Sequence, residues 1–479
     1  MSSIHRQLAV LLLACFAGGA RADAIDDYIN TELARQHIPG LALAVMRHGQ
    51  PIRMQGYGIA NLEHGVPVHP DTVFQSGALG KQFTAIAIML LVEDGKLALD
   101  ESVRKYLPDA PATWAPITVR QLLNHTSGLP ANPEGDLRRE YTDDELLRIL
   151  YKQPLNSPPG TRWSYSNNGY VTLGILVRKV SGEFYADLLA RRVFAPLGMR
   201  TARLLDDRAV IPNRAAGYQL RNGELRNQDW VSRTANSTAD GSLYLSVLDY
   251  ARWEAALSSR ALLKPESWDA ITRPARLTSG RDYPAGFGWL LERSAGQDVW
   301  RHSGNWQGFR TFVVRYLGDE LTLVTFVNSD SGRPITILRH VAALMDPKLA
   351  QPRGTPIDDG EPQVAARLTS LLQQIAAGKS DYTEFTFVSK PEFAETMSTY
   401  QKVLQPLGSL REIALFARQA LGDDQVYRYR ARFESGLLEV SLGYAPNGRI
   451  ASLNLLPLED WNAPIQPFDD DWNAPPIEE

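Results

Sequence analysis

Apolar residues recur along the chain at two spacings, and its first part shows both. Two apolar runs, Leu41 to Arg47 and Pro51 to Ile59, flank the turn His48-Gly49-Gln50, which predicts a β-hairpin. From Lys81 onward the spacing is helical, which predicts a buried helix from about Ala78 to Gly95, where the glycine ends it. The apolar positions of this helix are Phe83, Ile86, Ile88, Leu90 and Leu91.

Helical spacing dominates the middle of the chain, and a strand pattern returns after it. Residues from about 106 to 285 predict a helical subdomain. Three strand-like runs with short connections then predict an antiparallel meander, and a helix from Pro334 to Met345 packs back on it. The three runs are Val299 to His302, Phe309 to Tyr316 and Leu321 to Asn328.

The composition changes after Met345, which predicts a second domain. Residues 347–362 are rich in proline, glycine and aspartate and predict a linker. Residues 363–458 predict a small α+β domain of two helices followed by four strands. Residues 459–479 are acidic and proline-rich, which predicts a poorly ordered tail. The pattern therefore predicts an α/β chain of the α+β kind, with an antiparallel sheet flanked by helices, an all-helical subdomain and a small C-terminal domain.

The composition is that of a soluble globular protein. The chain has 479 residues, of which 44% are hydrophobic and 22% charged, enough for two or three domains. The net charge of −4 gives no basic face for nucleic acid. We predict no cofactor, no metal and no transmembrane segment, with a small molecule or peptide as the binding partner. The oligomeric state stays open.

The first residues predict a secretory signal. A short polar start precedes the apolar run Leu8 to Ala17, which is too short to span a bilayer. Ala20-Arg21-Ala22 fits a cleavage site, so residues 1–22 are the predicted leader and the mature chain begins near Asp23. We therefore expect an exported protein, periplasmic or secreted. Lipid anchoring at Cys15, the single cysteine, is the alternative.

The lysine of the predicted helix is the first candidate for chemistry. A buried ammonium is costly unless it is paired or its pKa falls. Ala78 lies three residues before Lys81, so the two share a helix face, and a serine at position 78 would reach the amine. Ser76 lies roughly 140° around such a helix and is a poor substitute. A solvated helix lysine is the alternative interpretation.

Two further segments carry candidate chemistry. Tyr165 and Asn167 stand at a loop-to-helix junction, where a phenol could act as general base if an ammonium lowers its pKa and an amide could donate to a carbonyl. In the run Arg301 to Phe309, the Asn305 N–H could form half of an oxyanion hole, with the residue-78 N–H as the other half. Ordinary turns are the alternative for each segment alone. We expect His125 to hydrogen-bond within its own turn.

Together these segments resemble the serine β-lactamase-like and penicillin-binding-protein-like family. That family includes class C β-lactamases, D,D-peptidases, D-aminopeptidases and family VIII carboxylesterases. The resemblance covers roughly residues 26 to 346 and implies a hydrolase domain over residues 23–346 with the serine β-lactamase-like fold. The matching runs, in order, are Phe74 to Ala85, Leu122 to Leu129, Tyr165-Ser166-Asn167, Asp240-Gly241-Ser242 through Asp249, and His302-Ser303-Gly304.

The resemblance also implies roles for individual residues. Position 78 would be the nucleophile of the Ser-x-x-Lys motif, activated by Lys81 and Tyr165. Asn167 would orient the substrate, and His302 and Gly304 stand at the third motif. The backbone N–H groups of residue 78 and Asn305 would bind the oxyanion.

The departure from the family pattern is Ala78, because a methyl group cannot attack a carbonyl. We interpret the chain as a serine hydrolase scaffold for esters or D-amino-acid amides and peptides, inactivated by an engineered or recent replacement of serine. A β-lactamase or D,D-carboxypeptidase is one alternative. A natural pseudoenzyme that binds without turnover is another, and a binding role for the C-terminal unit is a third.

Overall fold

The computed structural model describes residues 24–206 and 208–464. The predicted leader, residues 1–22, lies outside the described residues, as do residues 465–479 of the predicted tail, residues 459–479. Within those two ranges, no helix combines the length and the apolar character that crossing a membrane requires.

A seven-stranded antiparallel sheet forms the centre of the N-terminal domain, which we define as residues 24–345. The predicted hairpin and meander join in it, because Gly40–Arg47 pairs with Leu321–Val327, with Leu41 opposite Val327. In spatial order its strands are Leu290–Ser294, Gln297–Trp306, Phe309–Tyr316, Leu321–Val327, Gly40–Arg47, Gln50–Asn61 and Val66–Pro67.

Both faces of this sheet are covered. Alternate residues of the strand Gly40–Arg47 point to opposite faces, and all six residues from Leu41 to Met46 are 0% exposed. Leu41, Leu43 and Val45 pack against the helices of residues 24–35 and Pro334–Met345. Ala42, Ala44 and Met46 belong to the larger core on the other face. The predicted arrangement of an antiparallel sheet flanked by helices is therefore confirmed.

The helix that carries Lys81 lies in that larger core and is buried nearly all round. It spans Lys81–Glu93, and every residue from Lys81 to Leu91 is buried. It begins three residues later than predicted, because Gly77–Gly80 form a 3₁₀ turn and Gly77 has φ +52°. Side chains three residues apart eclipse each other in a 3₁₀ turn. We call Lys81–Glu93 the lysine helix.

The region predicted to be all-helical, about residues 106–285, also contains short strands. Tyr218–Arg221 pairs with Glu224–Asn227 across Asn222 and Gly223, which have φ of 51° and 78°. Positive φ at both turn residues is the type I′ hairpin geometry that Asn-Gly favours, and we overlooked that signal. The other short strands of the domain are Phe74–Gln75, Arg203–Leu204, Leu243–Leu245, Ala275–Arg276 and Asp282–Tyr283. Its remaining α-helices are Val119–Leu123, Asp143–Lys152, Asn167–Ser181, Tyr185–Leu189, Ala195–Leu197, Val247–Ser258 and Pro265–Ile271.

The C-terminal domain packs two helices, Pro362–Ala376 and Lys390–Leu404, on a four-stranded antiparallel sheet. Its strands are Leu410–Leu421, Asp424–Phe433, Leu437–Tyr444 and Ile450–Leu458. The domain has a hydrophobic core of its own, which includes Leu368, Tyr429 and Val440. The segment predicted as a linker holds a short 3₁₀ turn, Pro347–Leu349, and Ile357 donates its N–H to Leu415 of this sheet.

Candidate active site

Three chain segments meet at glycines beside position 78. A Cβ atom at Gly304 would lie 2.2 Å from the carbonyl oxygen of Ser76, and one at Gly77 would lie 2.5 Å from the backbone nitrogen of Asn305. A Cβ atom at Gly241 would lie 2.4 Å from the carbonyl oxygen of Gly77. No side chain fits at these positions. The backbone of residues 77 and 78 is therefore held directly against the strand edge at Gly304 and Asn305.

Ser76 is engaged in holding this arrangement. Its N–H donates to Leu243 at 2.8 Å, and its carbonyl accepts from the Thr311 hydroxyl at 2.8 Å. Its own hydroxyl is buried and lies 3.0 Å from the carbonyl oxygen of Gly241. Ser76 therefore ties together the segments that meet beside position 78.

Lys81 is 0% exposed and has polar and aromatic partners. Its Nζ donates to Asn167 Oδ1 at 2.7 Å and to the carbonyl oxygen of Asp240. The same nitrogen lies 4.9 Å from the centre of the Tyr165 ring and 5.4 Å from that of Tyr170, within the range of cation–π contact. Burial lowers the pKa of Lys81 to about 8, although the nearby charge of Asp240 opposes this shift. The amine can therefore exchange a proton near neutral pH.

The pKa of Tyr165 is shifted in the opposite direction to that of Lys81. Burial, followed by the Asp240 charge, raises the pKa of its phenol well above the ordinary value. The phenol could act as general base only if a nearby ammonium lowered this pKa, and that condition is not met because desolvation disfavours the phenolate more strongly. The hydroxyl is buried and has no hydrogen-bond partner among the described residues. Tyr165 therefore stays protonated at neutral pH.

Two buried histidines stand near Tyr165, and both are neutral at pH 7. His125 stacks on the Tyr165 ring at 4.5 Å, and its Nδ1 accepts the Ser166 N–H at 3.0 Å, so our expectation of a bond within its own turn is wrong. Burial lowers the pKa of His125 well below its usual value, and that of His302 to about 3. His302 Nδ1 lies 2.6 Å from the Ser303 carbonyl oxygen, which only accepts, so Nδ1 carries the proton.

Two residues beside Asn167 and Lys81, Asn132 and Asp240, were not among the predicted site residues. Asn167 Nδ2 donates to Asn132 Oδ1 at 2.7 Å while its Oδ1 accepts from Lys81, so Asn132 orients the amide. Asp240 contributes through both its carbonyl oxygen and its charge. Asp240 lies in a run that matches the family pattern, which was a usable signal. Asn132 has no comparable spacing signal.

The Ala78 side chain lies in a small apolar cluster at the centre of these groups. It is 8% exposed and packs with Trp163, Tyr165 and Tyr283. The Trp163 and Tyr283 rings stack in parallel at 4.5 Å. The structure thus gathers Ala78, Lys81, Tyr165, Asn167 and His302 around one position, with Gly304 and Asn305 forming the adjacent strand edge.

This fold and site define a serine β-lactamase-like protein. An antiparallel sheet is flanked by helices, and near its edge a buried lysine contacts the tyrosine and the asparagine of a Tyr-x-Asn segment. The family model described as Beta-lactamase matches residues 25–344, and the chain belongs to this family.

Comparison with known proteins agrees with this assignment. Penicillin-binding protein 4* of Bacillus subtilis (strain 168) is 31% identical over 304 residues, which cover 59% of this chain and 66% of that protein. The match thus spans slightly less than two thirds of that relative's length.

Two solved structures are similar to this chain. The D-amino acid amidase from Ochrobactrum anthropi SV3, complexed with L-phenylalanine amide, has a TM-score of 0.59 and 26% identity, covering 69% of this chain and 97% of that one. The octameric penicillin-binding protein homologue from Pyrococcus abyssi has a TM-score of 0.61 and 23% identity, covering 92% of this chain and 96% of that one. The second likeness concerns the fold alone, and at this coverage it extends into the C-terminal domain.

The buried lysine predicts a specific dependence of stability on pH. Because its pKa is about 8 in the folded chain and about 10.4 when unfolded, the unfolded state binds the extra proton between these values. Stability relative to a Lys81→Met variant should therefore be constant below pH 8 and rise by about 3 kcal/mol toward pH 10.5. Urea unfolding of both proteins across this range measures the difference.

The matched control is Lys96→Met, which removes an exposed lysine just past the same helix. Its difference from the unmodified chain should stay flat over the same range. A flat difference for Lys81→Met as well would contradict the burial of the ammonium.

Proposed function

We propose that this chain is the scaffold of a serine hydrolase that forms an acyl-enzyme on esters or D-amino-acid amides and peptides. We further propose that alanine at position 78 removes its nucleophile. One observation carries the proposal: the Ala78 methyl packs beside Tyr165, whose buried hydroxyl has no partner among the described residues. A lysine with a lowered pKa follows three residues later. A serine hydroxyl at position 78 would complete this set.

The proton movements follow from the two pKa shifts. Lys81, with a pKa near 8, is neutral in a useful fraction of molecules at pH 7 to 8 and is the better base. Tyr165 keeps its proton and acts as a hydrogen-bond donor toward the attacking or leaving atom. Asn167 Oδ1 accepts from the ammonium, and Asn132 holds that amide in orientation. Lys81 therefore takes the role of base that the phenol was expected to share.

The acyl transfer has two steps. In the first, Lys81 takes the hydroxyl proton as the serine Oγ–carbonyl bond forms, the ester C–O or amide C–N bond breaks, and the lysine returns that proton to the leaving group. In the second, water adds to the acyl carbon while Lys81 takes its proton, the Oγ–acyl bond breaks, and the lysine returns the proton to Oγ as the carboxylic acid leaves. The N–H groups of residue 78 and Asn305, on backbone segments in direct contact, are the proposed oxyanion donors.

The charge of the site favours neutral substrates. A neutral His302 provides no fixed positive charge for a substrate carboxylate. This supports an esterase or a D-amino-acid amidase or peptidase over a penicillinase. The similarity to a D-amino acid amidase agrees with this preference, whereas the similarity to a penicillin-binding protein supports the alternative of a β-lactamase or D,D-carboxypeptidase.

A binding protein without turnover is the second candidate. Ala78 itself favours it, because every other group of the site is in place while the nucleophile atom is absent. The two candidates differ in what a restored serine would do.

Restoring the serine is the direct test. The Ala78→Ser variant should hydrolyse p-nitrophenyl acetate or D-alanine amide at least about a hundredfold faster than the present chain, because only a hydroxyl can form the acyl-enzyme. Mass spectrometry after treatment with a fluorophosphonate should show one adduct on residue 78. Ala78→Gly, which opens the same space without a nucleophile, is the matched control and should gain nothing. No gain in Ala78→Ser would sink the hydrolase proposal and favour the binding protein.

The substrate preference is tested on the same variant. Ala78→Ser should have a kcat/KM for the ester or amide at least about tenfold above that for nitrocefin, whose carboxylate finds no fixed cation at His302. Adding His302→Lys should narrow this ratio by supplying the charge. Rapid nitrocefin turnover by Ala78→Ser alone would reverse the ranking.

We also propose that the chain is exported, on the basis of its predicted leader, residues 1–22. Expressed in a bacterial host, it should appear outside the cytoplasm with an N-terminus near Asp23. Leu12→Arg, which interrupts the apolar run, should keep it inside. A mature N-terminus at a lipid-modified Cys15 would favour anchoring instead, and a full-length cytoplasmic product would contradict export.

A further inference from the structure

A cavity of 480 Å³ lies between the two domains. The N-terminal domain contributes Trp163, Tyr283 and Leu277 to its lining, and the C-terminal domain contributes aromatic and aliphatic side chains. A cavity of this size and composition is typical of small-molecule sites. The main apolar groups from the C-terminal domain are Phe385, Phe387, Phe393, Met397, Leu421 and Leu453.

Several residues of the cavity wall are neighbours of the candidate active site. Trp163 and Ser164 line the cavity and directly precede Tyr165. Ala131 also lines it, and its carbonyl accepts the Asn167 N–H at 2.7 Å. The stacked rings of Trp163 and Tyr283 pack against Ala78 as well. A group in the cavity therefore lies against residues that neighbour position 78.

A hairpin tip of the C-terminal domain, Leu421 to Asp424, reaches the apolar cluster around Ala78. Leu421 packs against the cluster around Ala78. A Cβ atom at Gly422 would lie 2.8 Å from Leu277 Cδ1, so the tip is in close contact with the N-terminal domain. Arg281 Nη1 donates to the Gly422 carbonyl at 3.4 Å.

A largely buried ion pair, Arg162 with Asp424, holds the two domains together beside the cavity. Arg162 Nη2 also donates to the Ala451 carbonyl at 3.3 Å, and its guanidinium lies 4.9 Å from the Phe387 ring. Phe387 adopts φ +63°, a left-handed backbone conformation that bulky residues rarely adopt. The surrounding contacts hold this ring in the cavity wall.

The charged groups of the cavity wall already have partners, which constrains the chemistry of its occupant. Asp424 is paired with Arg162, and Asp423 Oδ1 lies 3.6 Å from Arg281 Nε. The Glu392 carboxylate accepts from Asn156 Nδ2 at 3.4 Å. What remains for a ligand is mainly aromatic and aliphatic carbon. The Glu392 charge disfavours an anionic group. An uncharged aromatic or alkyl group is the occupant that fits.

We propose that this cavity binds an uncharged aromatic or alkyl group of the substrate while the reacting carbonyl lies at position 78. The C-terminal domain then selects substrates by their apolar part. This inference rests on the proposed function and deepens it.

The first test fills the cavity and measures selectivity. In the Ala78→Ser background, Thr396→Trp places an indole into the cavity from the helix Lys390–Leu404. The ratio of kcat/KM for p-nitrophenyl octanoate to that for p-nitrophenyl acetate should fall at least about tenfold, because the longer chain loses its apolar contacts. Ser398→Trp, at an exposed position of the same helix, should leave the ratio unchanged. Thr396→Met adds less volume and replaces Thr396→Trp in this test if the indole disturbs folding.

The second test measures binding without catalysis, on the chain with Ala78. Calorimetric titration should show 4-phenylbutanamide binding at least about tenfold more tightly than acetamide. Thr396→Trp should abolish this preference, and Ser398→Trp should keep it.

The two tests separate the two proposals. Hydrolysis with an unchanged octanoate-to-acetate ratio in Thr396→Trp would overturn the cavity inference and leave the hydrolase proposal standing. No hydrolysis with a cavity-dependent binding preference would overturn the hydrolase proposal and support an apolar binding site. Equal binding of both amides would overturn the cavity inference.

Discussion

The burial of one ammonium group organises this site. Lys81 begins a helix whose surroundings are almost wholly apolar, where an unpaired charge is prohibitively costly. Two chain segments supply partners that offset this cost. The segment from Tyr165 to Tyr170 provides the Asn167 amide oxygen and the faces of two tyrosine rings, and Asp240 provides its carbonyl oxygen. These partners only reduce the cost, so the pKa remains depressed. The same arrangement therefore anchors the helix and produces a base suited to neutral pH.

The alanine at position 78 is compatible with this architecture. The close contacts beside it are made by backbone and by glycines, and the methyl packs in an apolar cluster. The Ala78 methyl cannot hydrogen-bond to the buried Tyr165 hydroxyl, which has no partner among the described residues. Under the proposed function, alanine at position 78 lacks the reacting atom but leaves the close packing in place, so the packing here does not report on activity.

The sequence predicted those features that depend on local spacing, and it failed where distant segments meet. The lysine helix, the meander and the two-helix, four-strand C-terminal domain all follow from apolar periodicity. The partner of His125 and the orientation of Asn167 by Asn132 depend on loops that meet only in the folded chain. The direction of the Tyr165 pKa shift could not be predicted, because periodicity shows which residues are buried but not how completely a phenol is desolvated. The interdomain cavity has no sequence signal, since its two walls lie more than one hundred residues apart.

The charges around position 78 bear on the choice of substrate. At pH 7, His125, His302 and Tyr165 are neutral, so Lys81 is the principal charge near position 78, with Asp240 opposite it. A substrate carboxylate placed here would pair with Lys81 itself, which would raise the lysine pKa and hold the amine in its protonated form. In the proposed hydrolase reaction, such a substrate would weaken the base that its own hydrolysis needs. A neutral ester or amide would leave the lysine free to accept the proton, and an apolar group in the adjoining cavity would add affinity without adding charge.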